Sequence, residues 1–119
     1  QAAWTPQAGP LHLVGAIYFS KATAGSPGFV AGGALTTALD AIAGDMAMRG
    51  AGWKTMWVTR SLSVRYVREV PLDSVYRFDC HSEVGERGQC VAHCSLSNAS
   101  TVLTECTCVF VPAGPMPSC

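Results

Sequence analysis

Residues 33–49 are the one part of this chain whose apolar side chains recur with the period of an α-helix. The apolar residues of this segment are Ala34, Leu35, Ala38, Leu39, Ala41, Ile42, Ala43, Met46, Ala47 and Met48. They cover most of the helix circumference, and a helix without a broad polar face is typically buried. The segment therefore predicts one central helix that the rest of the chain covers.

Segments with strand character lie before and after this helix. They are residues 11–19, 56–70, 75–84, 89–97 and 102–111. The order of one strand, one helix and four consecutive strands predicts an α+β fold with an antiparallel sheet of about five strands. A single domain is expected over residues 1–119, with irregular ends at 1–10 and 113–119, where Pro, Ala and Gly are frequent.

The longest predicted strand, residues 56–70, alternates between an apolar and a polar face. The residues predicted on the apolar face are Val58, Leu62, Val64 and Tyr66, with Arg60 as the exception. The residues predicted on the polar face are Thr59, Ser61, Ser63 and Arg65. The pattern is typical of a strand with one side on the core.

Charged residues make up only 13% of the chain, and the formal net charge is zero. So few charges indicate that part of the surface is hidden in an oligomer. The neutral balance argues against a nucleic-acid partner, which requires clustered Lys and Arg. No apolar run is long enough to span a bilayer, and no signal peptide is visible. We therefore expect a protein of the cytoplasm or an organelle matrix (mitochondrion or plastid) that is not secreted.

The six cysteines are Cys80, Cys90, Cys94, Cys106, Cys108 and Cys119. None forms a C-x-x-C pair, so a zinc or thioredoxin-type site is only weakly indicated. Five lie in predicted strands, where cysteine often serves as a small buried apolar residue. Free thiols are therefore favoured over disulfides, and with them a reducing compartment.

Asp40 is a carboxylate in the middle of the apolar helix, and Thr36 and Thr37 project from neighbouring positions one turn earlier. A carboxylate in such a helix is costly unless it is hydrogen-bonded or functional. The residues alone leave two interpretations equal: a chemical role, or a carboxylate satisfied by threonine hydroxyls or a neighbouring chain. Asp45 and Arg49, on roughly the opposite side, are interpreted as a structural i, i+4 pair.

Gly32 and Gly33 precede the apolar part of the helix. Without Cβ atoms, their backbone can approach a ligand closely, and the free N–H groups there point the same way as the positive end of the helix dipole. Such a terminus can stabilise a carbonyl oxygen as it becomes an oxyanion, although an ordinary helix start can have the same sequence.

Other catalytic chemistries are less well supported. The chain has no G-x-S-x-G elbow and no P-loop. His12, His81 and His93 alternate with apolar neighbours and are predicted on polar faces, which argues against a catalytic triad or a histidine metal site. The basic residues that could meet the phosphates of a nucleotide carrier, or simply form a solvated face, are Lys54, Arg60, Arg65 and Arg68.

The segment from Pro27 to Asp40, PGFVAGGALTTALD, resembles the helix-start motif of hotdog-fold acyl-CoA thioesterases. The phenylacetate-pathway and mitochondrial thioesterase-superfamily types have P-G-[FYW]-x-H-G-G-[AS] there, with an Asp eight residues after the first Gly of the pair. Downstream, the segments at 58–66, 71–72, 85–88 and 105–112 are similar to the second strand, the hairpin and the last strand of that family. The resemblance covers roughly residues 11–112 and implies one long helix wrapped by the sheet.

The resemblance implies a metal-independent thioesterase without a cofactor, since coenzyme A is part of the substrate. Asp40 matches the catalytic carboxylate, which acts as nucleophile or as general base on water. Gly32 matches the residue whose backbone N–H polarises the thioester carbonyl, and Thr59 matches the hydroxyl that orients water or substrate. The residues expected to bind the substrate are Gly33, Thr36, Ser26, Arg60 and Lys54.

Two positions depart from the family pattern: Ala31 stands where His is usual, and Gly25 stands where Asn is frequent. Two functions therefore remain. One is a hydrolase of acyl-CoA or acyl-carrier-protein thioesters in fatty acid metabolism, favoured by the retained site residues. The other is a non-catalytic binding or assembly subunit that has lost turnover.

The spacing of the matched residues also bears on assembly. Gly32 and Asp40 are eight residues apart, which is about 12 Å along a helix. A nucleophile and an oxyanion donor must both lie close to one reacting group. A homodimer, alone or as a dimer of dimers, is expected to bring Asp40 of one chain beside Gly32 of the other.

Overall fold

The structure, a computed structural model, describes residues 11–50 and 54–115. Its elements are β1 (Leu11–Tyr18), α1 (Gly32–Gly50), β2 (Thr55–Tyr66), β3 (Val75–Val84), β4 (Cys90–Asn98) and β5 (Thr101–Pro115). The strands form one antiparallel sheet in the order β1-β3-β4-β5-β2, and α1 packs across one face of it. The predicted α+β hotdog fold with five strands and one long helix is confirmed. The predicted irregular lead-in at residues 1–10 lies outside the described residues.

The face of the sheet that packs against α1 is called the inner face here. Leu39, Ala43 and Met46 of α1 pack there with Trp57 of β2 and Phe110 of β5. A second apolar cluster surrounds Leu35, nearer the start of the helix. Both clusters are built from positions of helical or alternating period, so local patterning explains where the core forms.

One side of α1 is open within a single chain, contrary to the expectation of a helix covered all round. Its buried residues are Leu35, Leu39, Ala43, Met46 and Ala47. Gly33, Thr37 and Ala41 on the other side are exposed. The physical reason is that one sheet covers only one face of a helix.

Two predicted strand ends are wrong. The strand predicted to reach Val70 ends at Tyr66, because the amides of Val67 and Arg68 both donate to the Leu103 carbonyl, at 2.9 and 3.0 Å, and the chain leaves the ladder. The end predicted to be irregular from residue 113 continues as strand to Pro115. Beyond Phe110, β5 pairs with β2 alone, and a strand bonded on one side tolerates proline.

The cysteine prediction is wrong for one pair. Cys80 and Cys94 lie opposite each other on β3 and β4, with Cα atoms 4.1 Å apart, and a disulfide joins them. Cys90, Cys106 and Cys108 are buried free thiols, as expected, and Cys119 lies outside the described residues. The prediction of a reducing compartment thereby loses the cysteine argument on which it rested.

Candidate active site

Asp40 lies at the middle of α1, half-buried, and its hydrogen-bond partner is on the neighbouring strand. Thr59 of β2 donates from Oγ1 to Asp40 Oδ1 over 3.4 Å. The threonines expected beside it bond elsewhere: Thr36 Oγ1 lies 2.5 Å from the Tyr66 hydroxyl, and Thr37 donates to the Gly33 carbonyl at 2.8 Å. The structure therefore brings together Asp40 and Thr59, two of the three residues predicted to be catalytic.

A β-bulge at Arg60 explains why Thr59 faces the helix. Thr59 pairs with Phe110 and Ser61 pairs with Val109, so Arg60 is an extra residue between two consecutive partners. An extra residue reverses the alternation of side chains on the two sides of the bulge. The predicted face assignment is therefore wrong for Thr59, which lies on the inner face, and for Val58, which is exposed.

The start of α1 carries the third predicted catalytic residue. Gly32 and Gly33 are exposed, and no acidic side chain lies in the first helical turn. The free N–H groups of that turn thus face no carboxylate from their own helix. A cavity of about 360 Å³ adjoins Gly32, and its lining includes Ser26, Tyr66 and Arg68 over an apolar wall that contains Phe29 and Leu35.

The two parts of the candidate site are separate within one chain. Neither Asp40 nor Thr59 lines the cavity at Gly32. Eight helical residues separate Gly32 from Asp40, about 12 Å of rise. A single chain thus presents a carboxylate part, Asp40 with Thr59, and an amide part, Gly32 with Gly33 and the adjoining cavity.

The two positions that depart from the family pattern contact each other just before the helix. A Cβ atom at Gly25 would lie 2.9 Å from the Ala31 Cα and 3.1 Å from its Cβ. The Ala31 amide also donates to the Thr23 carbonyl at 2.7 Å. Glycine at 25 is therefore required by the close approach of these two segments, and an Asn there would displace the backbone of Ala31.

Three free thiols lie on the inner face of the sheet beneath α1. Burial raises the pKa of Cys90. A hydrogen bond with Cys108 is the main reason that the pKa of Cys106 is lowered, and the same bond is the main reason that the pKa of Cys108 is raised. The negative charge of Asp40 acts on the pKa of both thiols in the raising direction, as the smallest of the causes.

The basic residues predicted to bind the substrate occupy different places. Arg60 projects from the bulge and, with Arg87 and Glu86, lines a cavity of about 380 Å³. Lys54 precedes β2 and is five residues from Thr59, roughly 16 Å along a strand. Arg60 is thus adjacent to Thr59 in the chain, but the cavity that it lines includes neither Asp40 nor Thr59, and Lys54 lies farther away.

Tyr66 belongs to the amide part of the site and was missed by sequence reasoning. Its hydroxyl donates to the Gly32 carbonyl at 3.0 Å, and its ring lies 3.4 Å from where a Gly32 Cβ would be. The alternation of β2 assigned Tyr66 to the apolar core. The available signal was a hydroxyl-bearing aromatic ring at the end of an otherwise aliphatic strand face.

The histidines lie away from these groups, on the outer face of the sheet. His12 hydrogen-bonds Asp79 at 2.7 Å, and this bond is the main reason that the pKa of Asp79 is lowered. His93 contacts Glu83 at 3.2 Å. Over residues 11–50 and 54–115, no three His, Cys, Asp or Glu side chains are arranged to hold a metal ion. The one long helix of the described chain is not apolar enough to cross a membrane.

Comparison with known proteins identifies the family and the fold of this chain. The sequence profile of the thioesterase superfamily matches residues 27–103. A hypothetical thioesterase of Streptococcus pneumoniae TIGR4, solved with coenzyme A, superposes with a TM-score of 0.77 at 22% identity, over 89% of this chain and 84% of its own. A Streptococcus mutans UA159 protein bound to acetyl-CoA gives 0.78 at 18% identity, over 96% and 89%. A phenylacetic acid degradation-related protein of Ralstonia eutropha JMP134 gives 0.74 at 19% identity, over 83% and 74%.

Proposed function

Because this chain belongs to the thioesterase superfamily, we propose that it hydrolyses acyl-CoA or acyl-carrier-protein thioesters to a free acid and a thiol. The observation that carries the proposal is the contact between the Asp40 carboxylate and the Thr59 hydroxyl on the inner face of the sheet. Neighbours of the same fold have been solved with coenzyme A and with acetyl-CoA, which supports a coenzyme A thioester as the ligand class.

The proposed chemistry uses the side chains and amides of the site without a cofactor. In the general-base route, Asp40 takes a proton from water while the water oxygen attacks the thioester carbonyl carbon. The carbonyl oxygen becomes an oxyanion that the Gly32 N–H stabilises. The C–S bond then breaks, and the thiolate leaves and is protonated. In the nucleophilic route, the Asp40 carboxylate attacks the carbonyl carbon, the C–S bond breaks and the thiolate leaves and is protonated. Water then hydrolyses the mixed anhydride, which releases the acid and regenerates Asp40.

The proposed catalyst is a homodimer, alone or within a dimer of dimers. Asp40 and Gly32 of one chain cannot both reach one thioester carbonyl, because about 12 Å of helix separates them. Two antiparallel helices would place the carboxylate part of one chain against the amide part of the other. The side of α1 that carries Gly33, Thr37 and Ala41 is open in the single chain, which supports this pairing.

The proposed substrate contacts divide between the two parts of the site. Gly33 and Ser26 belong to the amide part, and the cavity at Gly32 is proposed to hold the acyl end. Thr36 acts through its bond to Tyr66. Arg60 is proposed to meet phosphates of the carrier, and Lys54 to meet a more distant part of it. The non-catalytic alternative rests on Ala31 and Gly25, and the family match and the coenzyme A-bound neighbours do not favour it.

The test is a hydrolysis assay on a panel of acyl-CoA and acyl-carrier-protein thioesters, followed by loss of the thioester absorbance. Asp40→Asn keeps the size of the side chain but removes the base, and we expect kcat to fall about a hundredfold or more. Asp45→Asn is the matched control, because Asp45 lies on the same helix and bonds Arg49 at 2.6 Å, away from Thr59. A folded Asp40→Asn protein with the turnover of the wild type would contradict the proposal, as would a wild type that cleaves no member of the panel.

A further inference from the structure

Tyr66 makes two hydrogen bonds at the start of α1 that no step of the proposed reaction uses. Its hydroxyl lies 3.0 Å from the Gly32 carbonyl oxygen and 2.5 Å from Thr36 Oγ1. A phenol has a single proton to donate. Since a carbonyl can only accept, Tyr66 donates to Gly32, and the Thr36 hydroxyl donates to Tyr66. Thr36 and Tyr66 thus form a directed chain of donors that ends on the first helical carbonyl.

The bond to Gly32 adds to the helical ladder in fixing the direction of the next amide. The peptide unit between Gly32 and Gly33 is planar, and its C=O and N–H point in opposite directions. Holding the Gly32 carbonyl against Tyr66 therefore aims the Gly33 N–H the other way, along the free amides of the first turn. This restraint matters at a Gly–Gly pair, because neither residue has a Cβ that limits rotation of the peptide plane.

The same bond makes the Gly33 N–H a stronger donor. Hydrogen bonds in series polarise each other, so an acceptor bond at the carbonyl increases the positive charge on the N–H of the same peptide. The Gly33 N–H lies in the first turn of α1, where amides have no acceptor within the helix, and it donates no hydrogen bond to another described residue. An acyl oxygen at the Gly32 amide would thus find a second amide free beside it.

We propose that Tyr66 is a positioning residue that aims and polarises the Gly33 amide as a second oxyanion donor beside that of Gly32. The inference rests on the proposed thioester hydrolysis and deepens it. Because a donor aimed at the oxyanion acts mainly on the transition state, Tyr66 affects kcat and leaves KM nearly unchanged.

The test compares Tyr66→Phe with Tyr18→Phe. Tyr18, at the end of β1, is the matched control. It is 55% exposed against 51% for Tyr66, and its hydroxyl donates to the Asp73 carboxylate at 2.8 Å. We expect Tyr66→Phe to lower kcat about threefold to tenfold, the effect of one net hydrogen bond, with KM unchanged. Thr36→Val should lower kcat less, because Tyr66 still reaches Gly32, and Thr36→Ser should restore the wild-type value. Tyr18→Phe should match the wild type.

An amide NMR measurement separates this inference from the proposed function. In glycine-labelled protein, the Gly33 N–H proton resonance is expected to shift upfield in Tyr66→Phe and to stay in place in Tyr18→Phe. A Tyr66→Phe enzyme whose kcat is within 1.5-fold of the wild type, or whose KM rises in place of a lower kcat, overturns the inference. If the wild type cleaves no thioester, the proposed function fails, and an unmoved Gly33 resonance then overturns the aiming of the amide as well.

Discussion

The missing side chain of Gly25 allows the chain to pass close to Ala31, just before the helix starts. The backbone at these positions is so close that a Cβ at 25 would lie 2.9 Å from the Ala31 Cα. Ala31 is also the residue whose carbonyl accepts the Leu35 amide at 3.1 Å, so it carries the first turn of α1. A side chain at 25 would therefore push on the backbone that positions Gly32.

We expect Gly25→Ala to lower the free energy of unfolding by about 1–3 kcal/mol, because the added methyl group overpacks the contact with Ala31. Gly33→Ala is the control: nothing lies within 4 Å of its added Cβ, and alanine should gain up to about 1 kcal/mol in a helix. Urea denaturation of both variants measures the difference. Equal effects of the two substitutions would show that the close approach of 25 and 31 is relaxed in solution.

At the scale of elements, the bulge in β2 decides which side chains reach the helix. Thr59 faces Asp40 because Arg60 has no partner of its own on β5. After the bulge, Leu62 and Val64 pack against the core from the same face. Thr59 and Leu62 are three residues apart, whereas Leu62 and Val64 are two apart. The extra residue therefore lets all three side chains lie on the inner face.

Deletion of Arg60 is expected to be tolerated, because Thr59 and Ser61 then pair with Phe110 and Val109 in a regular ladder. Deletion of Val64 is the contrasting control, since it removes a side chain that packs against the core and, once Arg60 enters the ladder, moves Leu62 from the inner to the outer face. We expect the first variant to show a cooperative thermal transition within a few degrees of the wild type and the second to show none. If both deletions unfold the protein, the bulge is needed for stability as well as for placement.

The disulfide between β3 and β4 is expected to stabilise the sheet through the unfolded state. Cys80 and Cys94 are 14 residues apart, and closing a loop of about that length contributes roughly 3 kcal/mol in the chain-entropy account. A strong reductant should therefore lower the free energy of unfolding of the wild type by about that amount. The Cys80→Ala/Cys94→Ala variant should not respond to reductant, whereas Cys90→Ala should respond like the wild type. A wild type that is indifferent to reductant would show that the two thiols are free.

For the whole molecule, the relevant fact is that one chain divides its candidate site into two parts. The cavity at Gly32 and the Asp40–Thr59 pair are at different positions along the same helix. The cavity lies at the exposed start of α1, and Asp40 is next to Ala41 on its open side, so a second copy could cover both. A single chain therefore keeps the carboxylate part and the amide part of the candidate site apart.

Complementation between two inactive variants tests the composite site. Asp40→Asn removes the carboxylate, and Gly32→Pro removes the amide donor at a first helical position, where proline is tolerated. Each homodimer should be inactive, whereas co-expressed chains should recover about a quarter of wild-type activity, because half of the dimers are mixed and each has one intact site. No recovery from folded, mixed dimers would place Asp40 and Gly32 of one chain in the same site.

The sequence by itself determined the number and order of the elements, and it placed Asp40 in the helix and Gly32 at its start. These follow from periodicity and from turn residues, which are properties of neighbouring positions along the chain. The resemblance of the segment from Pro27 to Asp40 then supplied the family, which the profile match confirms. The roles of the individual site residues stay predictions.

Only the tertiary structure decided how distant positions meet. Three features depend on cross-strand register or on the packing of a strand against the helix. They are the position of Thr59 on the inner face, the disulfide between Cys80 and Cys94, and the bonds of Tyr66 to Gly32 and Thr36. Register is a relation between two segments far apart in sequence, and one extra residue reverses it. A pattern read along one strand therefore could not reveal that a bulge would turn Thr59 toward the carboxylate.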